Sequence, residues 1–260
     1  MESISPSRIL SYLRCGESYR RRFLDNEIIP PSIALHKGKA THKGIEKNNV
    51  YKKETKEDMK LKEVLEIISN EYDQNIKKEG LLLNKEEETI GKDKIVGEGK
   101  DTIISLGRLY REEVAPDIMP LYVEEKVIIQ TSQQVELVSV LDLCDDKKNI
   151  IDFKTSNRKK NESEISSDLQ LSFQALTFRS LTKENPNSVN FCVLIEKKQP
   201  EVQNLKGTRT EVEYKILLNY INIYLKGIRN GVFMPPNPTI TYYCNPKWCG
   251  YFNTCDFTKH

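Results

Sequence analysis

No stretch of the 260-residue sequence approaches the roughly 20 apolar residues of a membrane span. The N-terminal MESISPSRILSYLRCGESYRRRFLD also lacks the apolar centre of a secretory leader. These two absences predict a cytoplasmic protein with no membrane partner. An excess of charge of one sign is missing too: 40 Lys and Arg stand against 38 Asp and Glu, a formal net charge of +2. Net charge therefore names no partner, and a polyanion would have to be held by local basic clusters. No internal repeat is present. With 38% hydrophobic and 30% charged residues, a chain of this length buries a substantial core, which excludes a disordered chain and a minidomain held only by crosslinks.

What the sequence does have is six cysteines: Cys15, Cys144, Cys192, Cys244, Cys249 and Cys255. In a reducing compartment such thiols are free, catalytic or metal-bound rather than paired in structural disulfides. Cys144 and Cys192 lie in apolar strand-like runs and read as core residues. Cys244, Cys249 and Cys255 fall within twelve residues of a Pro- and Asn-rich tail, YYCNPKWCGYFNTCDF, and Cys15 sits in the first helical segment. Four thiolates suit Zn²⁺ or a 4Fe-4S cluster, and their number does not choose between them.

Periodicity predicts a helix over 5–24, with Ser5 as N-cap and Pro6 at the first helical position. Further helices are expected at 36–50, 61–76, 102–114, 168–181 and 210–229, and the charged, Gly-containing stretch 84–100 reads as a loop or mobile insertion. Runs 121–129, 134–144 and 149–154 read as an antiparallel meander with turns at Thr131-Ser132 and Asp145 to Lys148. A strand is expected at 189–196 and a strand or turn at 201–207. The order favours one α/β or α+β unit with a helical lobe in its first half. Tyr12, Tyr19 and Phe23 recur at helical spacing and read as core.

The segment VSVLDLCDDKKNIIDFKTS, residues 138–156, carries the chemistry. Alternation along a strand points Asp152 and Lys154 to one side and Phe153 to the other. Asp142 interrupts an apolar strand, where a carboxylate is costly unless something binds it. If the two strands pair through the intervening turn, Asp142 and Asp152 converge with Lys154 beside them. Paired carboxylates form a hard oxygen site suited to Mg²⁺ or Mn²⁺. A solvated hairpin with three ordinary surface residues is the competing reading.

Taken together, GKATH ending at His42, VLD ending at Asp142, IIDFK with Asp152 and Lys154, and LQLSFQAL with Gln170 resemble the PD-(D/E)xK nuclease superfamily. The resemblance is to its RecB-type branch, which includes the CRISPR-associated iron–sulfur exonucleases and phage relatives. It implies a restriction-endonuclease-like core, a central mixed sheet flanked by helices, with an N-terminal helical lobe and a C-terminal iron–sulfur region. The implied divisions of this single unit are 1–29 with the first cluster cysteine, a helical insertion over 50–115, the nuclease core over 116–230, and the tail 231–260. The resemblance further implies that His42, Asp142 and Asp152 bind Mg²⁺ or Mn²⁺, that Lys154 and Gln170 act at the catalytic site, and that Cys15, Cys244, Cys249 and Cys255 bind a 4Fe-4S cluster. Gln174 stands where the family's helix carries tyrosine; a shifted alignment makes Gln174 the family's glutamine. Glu124 or Glu125 falls where many relatives carry an acidic residue.

The implied activity is a metal-dependent DNA exonuclease acting on single strands or ends, prokaryotic or phage-encoded, with a partner protein in recombination, repair or CRISPR adaptation. Arg158, Lys159 and Lys160, after the catalytic strand, and Arg20 and Arg21 near the first cysteine are the candidate DNA contacts. The alternative is a DNA-binding or partner-docking module with a structural zinc or iron–sulfur site and little nuclease activity.

Overall fold

The computed structural model describes residues 3–131, 135–236 and 243–258. The expected strand start at Gln134, the Ser132 half of the turn, part of the tail and the terminal His260 lie outside them. Ser5 caps the first helix, accepting from the Arg8 amide, and Pro6 occupies its first position. The single helix expected over 5–24 is two: α1 (Pro6–Arg14) and α2 (Gly16–Phe23), separated by Cys15 in an extended conformation, φ −163° and ψ 107°. Helical spacing of the apolar residues continues through Cys15, so periodicity hid the break.

Three helices form the lobe: α3 (Ile33–Thr55), α4 (Leu61–Glu79) and α6 (Lys92–Leu109), with the short α5 (Lys85–Ile90) between the last two. The loop expected over 84–100 is therefore helical. Asn84 caps α5 by accepting from the Glu86 and Glu87 amides, while Glu87 accepts from the Asn84 amide, a reciprocal box that acidic composition concealed. α6 begins ten residues before the expected Thr102; Gly99 and Gly107 in it, like Gly44 in α3, are contact points rather than breaks. A Cβ at Gly107 would lie 2.5 Å from the Ile68 side chain, one at Gly44 2.3 Å from it, and one at Gly99 2.2 Å from the Tyr72 hydroxyl. α3 is longer than the expected 36–50 at both ends and crosses residue 50. Its last turns bury Asn48, Asn49 and Lys52 rather than aliphatic residues. Asn48 donates to Asp58 and the Tyr110 hydroxyl, Asn49 to the Ile45 carbonyl and the Tyr110 hydroxyl, and Lys52 to Asp58 and the Ala115 carbonyl, so each buried donor of this polar seam has a partner.

The strands are β1 (Ser3–Ile4), β2 (Pro120–Gln130), β3 (Glu136–Asp145), β4 (Asn149–Ser156), β5 (Ser188–Ile195) and β6 (Glu201–Gly207). They form one mixed sheet of order β1-β3-β4-β5-β6, with β2 also on β3. The expected antiparallel meander is present as β2–β3–β4, and β4 runs parallel to β5 from Asn149↔Ser188 to Ser156↔Ile195. Alternation along β4 and β5 splits the core. Ile150, Phe191, Val193 and Ile195 pack with Leu171, Ala175 and Phe178 of α8 (Leu169–Thr182), which follows the short α7 (Glu162–Ser167). Ile151, Phe153, Cys192 and Leu194 pack with Ile45, Leu106 and Tyr110 on the lobe side. Cys144 and Cys192 are core residues on opposite faces. α9 (Glu211–Arg229) closes a further cluster with Ile9 and Tyr19, against which Tyr12 and Phe23 pack. No described helix is long and apolar enough to cross a membrane.

The β3–β4 pairing determines where a site can form. Its one registered pair is Cys144↔Ile150, beside the turn. Asp142 and Asp152 each lie two residues beyond that pair, where the ladder has stopped, and face α8 across the opening.

Candidate active site

Asp152 is fully buried on β4, and its Oδ2 lies 2.8 Å from Lys154 Nζ. Lys154 Nζ also donates to Gln170 Oε1 at 2.9 Å, and Gln170 Nε2 donates to Asp152 Oδ1 at 3.1 Å, closing a ring of three side chains. The Lys154 ammonium stands 5.7 Å from the centroid of the Phe191 ring, a cation–π distance. One turn along α8, Gln174 Nε2 donates to Asp142 Oδ2 at 2.7 Å and to Asp152 Oδ1 at 3.3 Å. The structure thus brings together Asp142, Asp152, Lys154 and Gln170, and adds Gln174. The Q-x-x-x-Q spacing, which stacks two amides on one helical face, was the available signal for that addition.

α8 is fixed at its start. Asp168 caps it by accepting from the Leu171 amide at 2.8 Å. Buried Arg209 donates to Ser172 Oγ and to the Ile165 and Asp168 carbonyls, all within 2.9 Å. Arg209 carried no motif in the sequence, yet it holds the helix that presents both glutamines.

Electrostatics follow from burial. Desolvation pushes the Asp142 carboxyl up to about 7, reinforced by Asp152 and Glu124 and opposed by Lys154 and Gln174. Asp152 is also raised by burial, against the pull of Lys154. His42, on the third turn of α3, is lowered by burial, which favours the neutral imidazole; Asp152 opposes this, and His42 is hydrogen-bonded at the Phe153 backbone. Of the two acidic candidates on β2, Glu124 is the one beside Asp142. The ladder registers Val123↔Leu143 and Glu125↔Leu141, and Glu124 between them adopts a left-handed φ of 50°. Burial raises the Glu124 carboxyl, Glu46 adds to the rise and Lys43 opposes it.

Two carboxylates and a neutral imidazole are a donor set for Mg²⁺ or Mn²⁺, and buried carboxylates spaced by neutral amides suit a divalent cation. Among the described residues no three His, Cys, Asp or Glu side chains are gathered as a ready metal group. The Gln174 amide and the Lys154 ammonium instead take the carboxylate oxygens.

Cys15, Cys244, Cys249 and Cys255 line one cavity together with Arg21 and Tyr251. Cys15 ends α1 and caps α2, its Sγ accepting from the Ser18 amide at 3.3 Å. Burial pushes its thiol up to about 11, and Cys249 is raised for the same reason. The tail is held there by Tyr251, whose hydroxyl donates to the Glu27 carbonyl at 2.6 Å, and by Tyr12, whose hydroxyl donates to the Val232 carbonyl at 2.7 Å. Four thiols are the sulfur donors that zinc or an iron–sulfur cluster takes, but among the described residues they line the recess without being drawn into a ready metal group.

The basic candidates divide by location. Arg158 is exposed just after β4; Lys159 pairs with Glu201 at 3.3 Å and Lys160 with Glu164 at 2.7 Å. Arg20 pairs with Glu17 and Asp25, and Arg21 pairs with Glu27 and lies over the Tyr251 ring beside the cysteines. His36, which carried no expectation, is buried and bonded through Nε2 to the Gly80 carbonyl.

The fold is similar to that of a candidate exonuclease from Eubacterium rectale, with a TM-score of 0.54 and 13% identity over 94% of this chain and 87% of the other. A looser likeness, TM-score 0.46 and 14% identity, extends to the structure of SSO0001, covering 100% of this chain and 88% of that one. No curated protein matches the sequence. The family model of the PD-(D/E)XK nuclease superfamily matches residues 3–256, nearly the whole chain and every side chain of the carboxylate site, and the chain belongs to that superfamily.

Proposed function

We propose that this nuclease is a divalent-metal-dependent DNA exonuclease of the RecB type, acting on single strands or ends, with a structural 4Fe-4S cluster. The observation that carries the reading is the closed ring of Asp152, Lys154 and Gln170 on a buried sheet opening, with Asp142 joined to Asp152 through Gln174. Asp142, Asp152 and His42 would hold Mg²⁺ or Mn²⁺, which supplies Lewis-acid charge for phosphodiester hydrolysis. In that reaction water adds to phosphorus in line as the bond to the sugar oxygen breaks. Lys154, tethered by Asp152 and Gln170, presents an ammonium that orients the attacking water and compensates charge on the phosphoryl group. Burial around Asp152 excludes bulk solvent and strengthens each of these interactions.

The convergence of four cysteines on one cavity supports the cluster, and the likeness to CRISPR-associated iron–sulfur exonucleases and phage relatives favours iron over zinc. Its role would be structural, since hydrolysis moves no electrons. It would tie Cys15 to the tail across nearly the whole sequence, a crosslink worth several kcal/mol, roughly 3–5, on chain-entropy reasoning. Arg158, Lys159 and Lys160 would receive DNA leaving the site.

The test is anaerobic purification, visible spectrum and metal content, then cleavage of 5′- and 3′-labelled single- and double-stranded DNA with Mg²⁺ or Mn²⁺. A brown protein that shortens DNA from an end, and Asp152→Ala and Lys154→Ala variants that keep the colour but not the cleavage, are expected. Unchanged cleavage in both variants overturns the site. A colourless zinc protein that binds DNA without cutting supports the docking-module alternative.

A further inference from the structure

Gln174 has no counterpart in the residue roles assigned so far. It stands where the resemblance places a tyrosine, it is buried, and its single amide nitrogen reaches both carboxylates, Asp142 Oδ2 at 2.7 Å and Asp152 Oδ1 at 3.3 Å. We propose that Gln174 is a positioning residue that sets the spacing of Asp142 and Asp152 and holds the pair for a divalent cation. The proposal rests on the metal-dependent reading above and adds a residue to it.

The backbone leaves this task undone. The β3–β4 ladder registers Cys144↔Ile150 alone among the described residues, so residues 142 and 152 are not held as a registered pair. Two buried like charges repel, and the pair must be held from outside the hairpin. α8 is rigid enough to do so, with Asp168 and Arg209 fixing its first turn and Leu171, Ala175 and Phe178 packed into the core around Gln174.

The residue type suits the task. A primary amide has two N–H donors on one nitrogen, so it serves both carboxylates without adding a positive charge that would compete with the cation. A tyrosine hydroxyl has one donor. Lysine or arginine would neutralise the pair and repel the metal. Gln174 and Gln170 share the work at Asp152: Gln170 joins it to Lys154, and Gln174 joins it to Asp142.

Gln174 Oε1 is buried and accepts no hydrogen bond from the described residues. The amide is oriented by its nitrogen, toward the carboxylates.

The experiment is Mn²⁺ titration of the purified full chain, followed by calorimetry and by the loss of the free-ion EPR signal. It compares wild type, Gln174→Met and Thr177→Val. Thr177 lies on the same helix, bonds to Ser139 and touches neither carboxylate, so its variant reports the cost of losing a buried hydrogen bond on α8. The expected result is an affinity about tenfold or more weaker in Gln174→Met, the size typical when a residue that orients a ligand is lost, with Thr177→Val within twofold of wild type. Should Gln174→Met not fold, Gln174→Asn, which keeps the amide but retracts it by one methylene, decides in the same way. Wild-type affinity in the folded Gln174 variant overturns the proposal. Absence of Mn²⁺ binding to the wild type overturns the metal reading itself, a result distinguishable from the first.

Discussion

Gly16 and Met234 meet backbone to backbone: the Gly16 amide donates to the Met234 carbonyl at 2.8 Å. A Cβ on residue 16 would sit 2.7 Å from the Met234 nitrogen and 2.8 Å from the Phe233 carbonyl carbon, and neither can rotate away. Gly16→Ala therefore pushes the returning tail off α2 next to Cys15. The expected cost is about 1–3 kcal/mol, the range for overpacking, seen as a lower thermal midpoint. If the four cysteines hold a cluster, the same variant also loses iron faster in air, read from the decay of visible absorbance.

Lys154 and Asp152 make contributions that separate in the test tube. Lys154→Met removes the ammonium and leaves a buried carboxylate bonded to Gln170 and Gln174 alone. Cleavage is expected to fall by a factor on the order of 10²–10³, the usual worth of one preorganised donor that stabilises developing charge. Asp152→Asn removes the buried charge and a metal donor together. It should abolish cleavage yet melt at or above the wild-type temperature without metal, a pairing checked by differential scanning calorimetry beside the nuclease assay.

The pH response carries a definite sign. Burial pushes Asp142 up to about 7 in the folded protein, above its ordinary 3.8. Between those values the metal-free fold holds a proton that the unfolded chain releases, so this group's contribution to stability is present at low pH and is lost as pH rises through that window. A divalent cation competes with the same proton. Mn²⁺ affinity is therefore expected to climb from about pH 6 to about pH 8 and then level off. Thermal melts with and without Mn²⁺ across this range test both slopes, and Asp142→Asn should flatten the slope of the metal-free series.

Salt dependence separates the basic groups. Arg158 and Lys159 are exposed beyond β4, whereas Arg20 and Arg21 are bound up with Glu17, Asp25 and Glu27 at the cysteine cavity. The double variant Arg158→Ala/Lys159→Ala is expected to reduce the dependence of log affinity on log salt for single-stranded DNA by up to about 1.4, about 0.7 per lost phosphate contact. Arg20→Ala should leave that slope unchanged and act on the stability of the first helices. Fluorescence anisotropy at several salt concentrations provides the measurement.

β2 to β5 were legible as β-branched apolar runs bounded by turn residues, whereas β1 was not read and β6 was left as strand or turn; the joint orientation of Asp152 and Lys154 followed from alternation alone. The break at Cys15 was not legible, since it depends on a tail more than 200 residues away packing on Gly16. α5 and the part of α6 before the expected Thr102 were obscured by acidic residues that cap and by glycines that pack, both of which read as loop signals in isolation. Arg209 was invisible for another reason, which also left Gln174 a noticed position without a role. Polar side chains that work by hydrogen bonding across the fold leave no periodic trace, and only the assembled distances identify them.

The early end of the β3–β4 ladder also bears on when the chain becomes active. The hairpin forms from near neighbours in sequence and brings both carboxylates, but their spacing waits for α8 and for Arg209, which clamps it from beyond β6. A partly folded chain therefore carries the acidic pair without the means to hold it. Competence arrives with the docking of one helix, late in the sequence, so a chain emerging from the ribosome or one that has begun to unravel is disarmed while most of its sheet is intact.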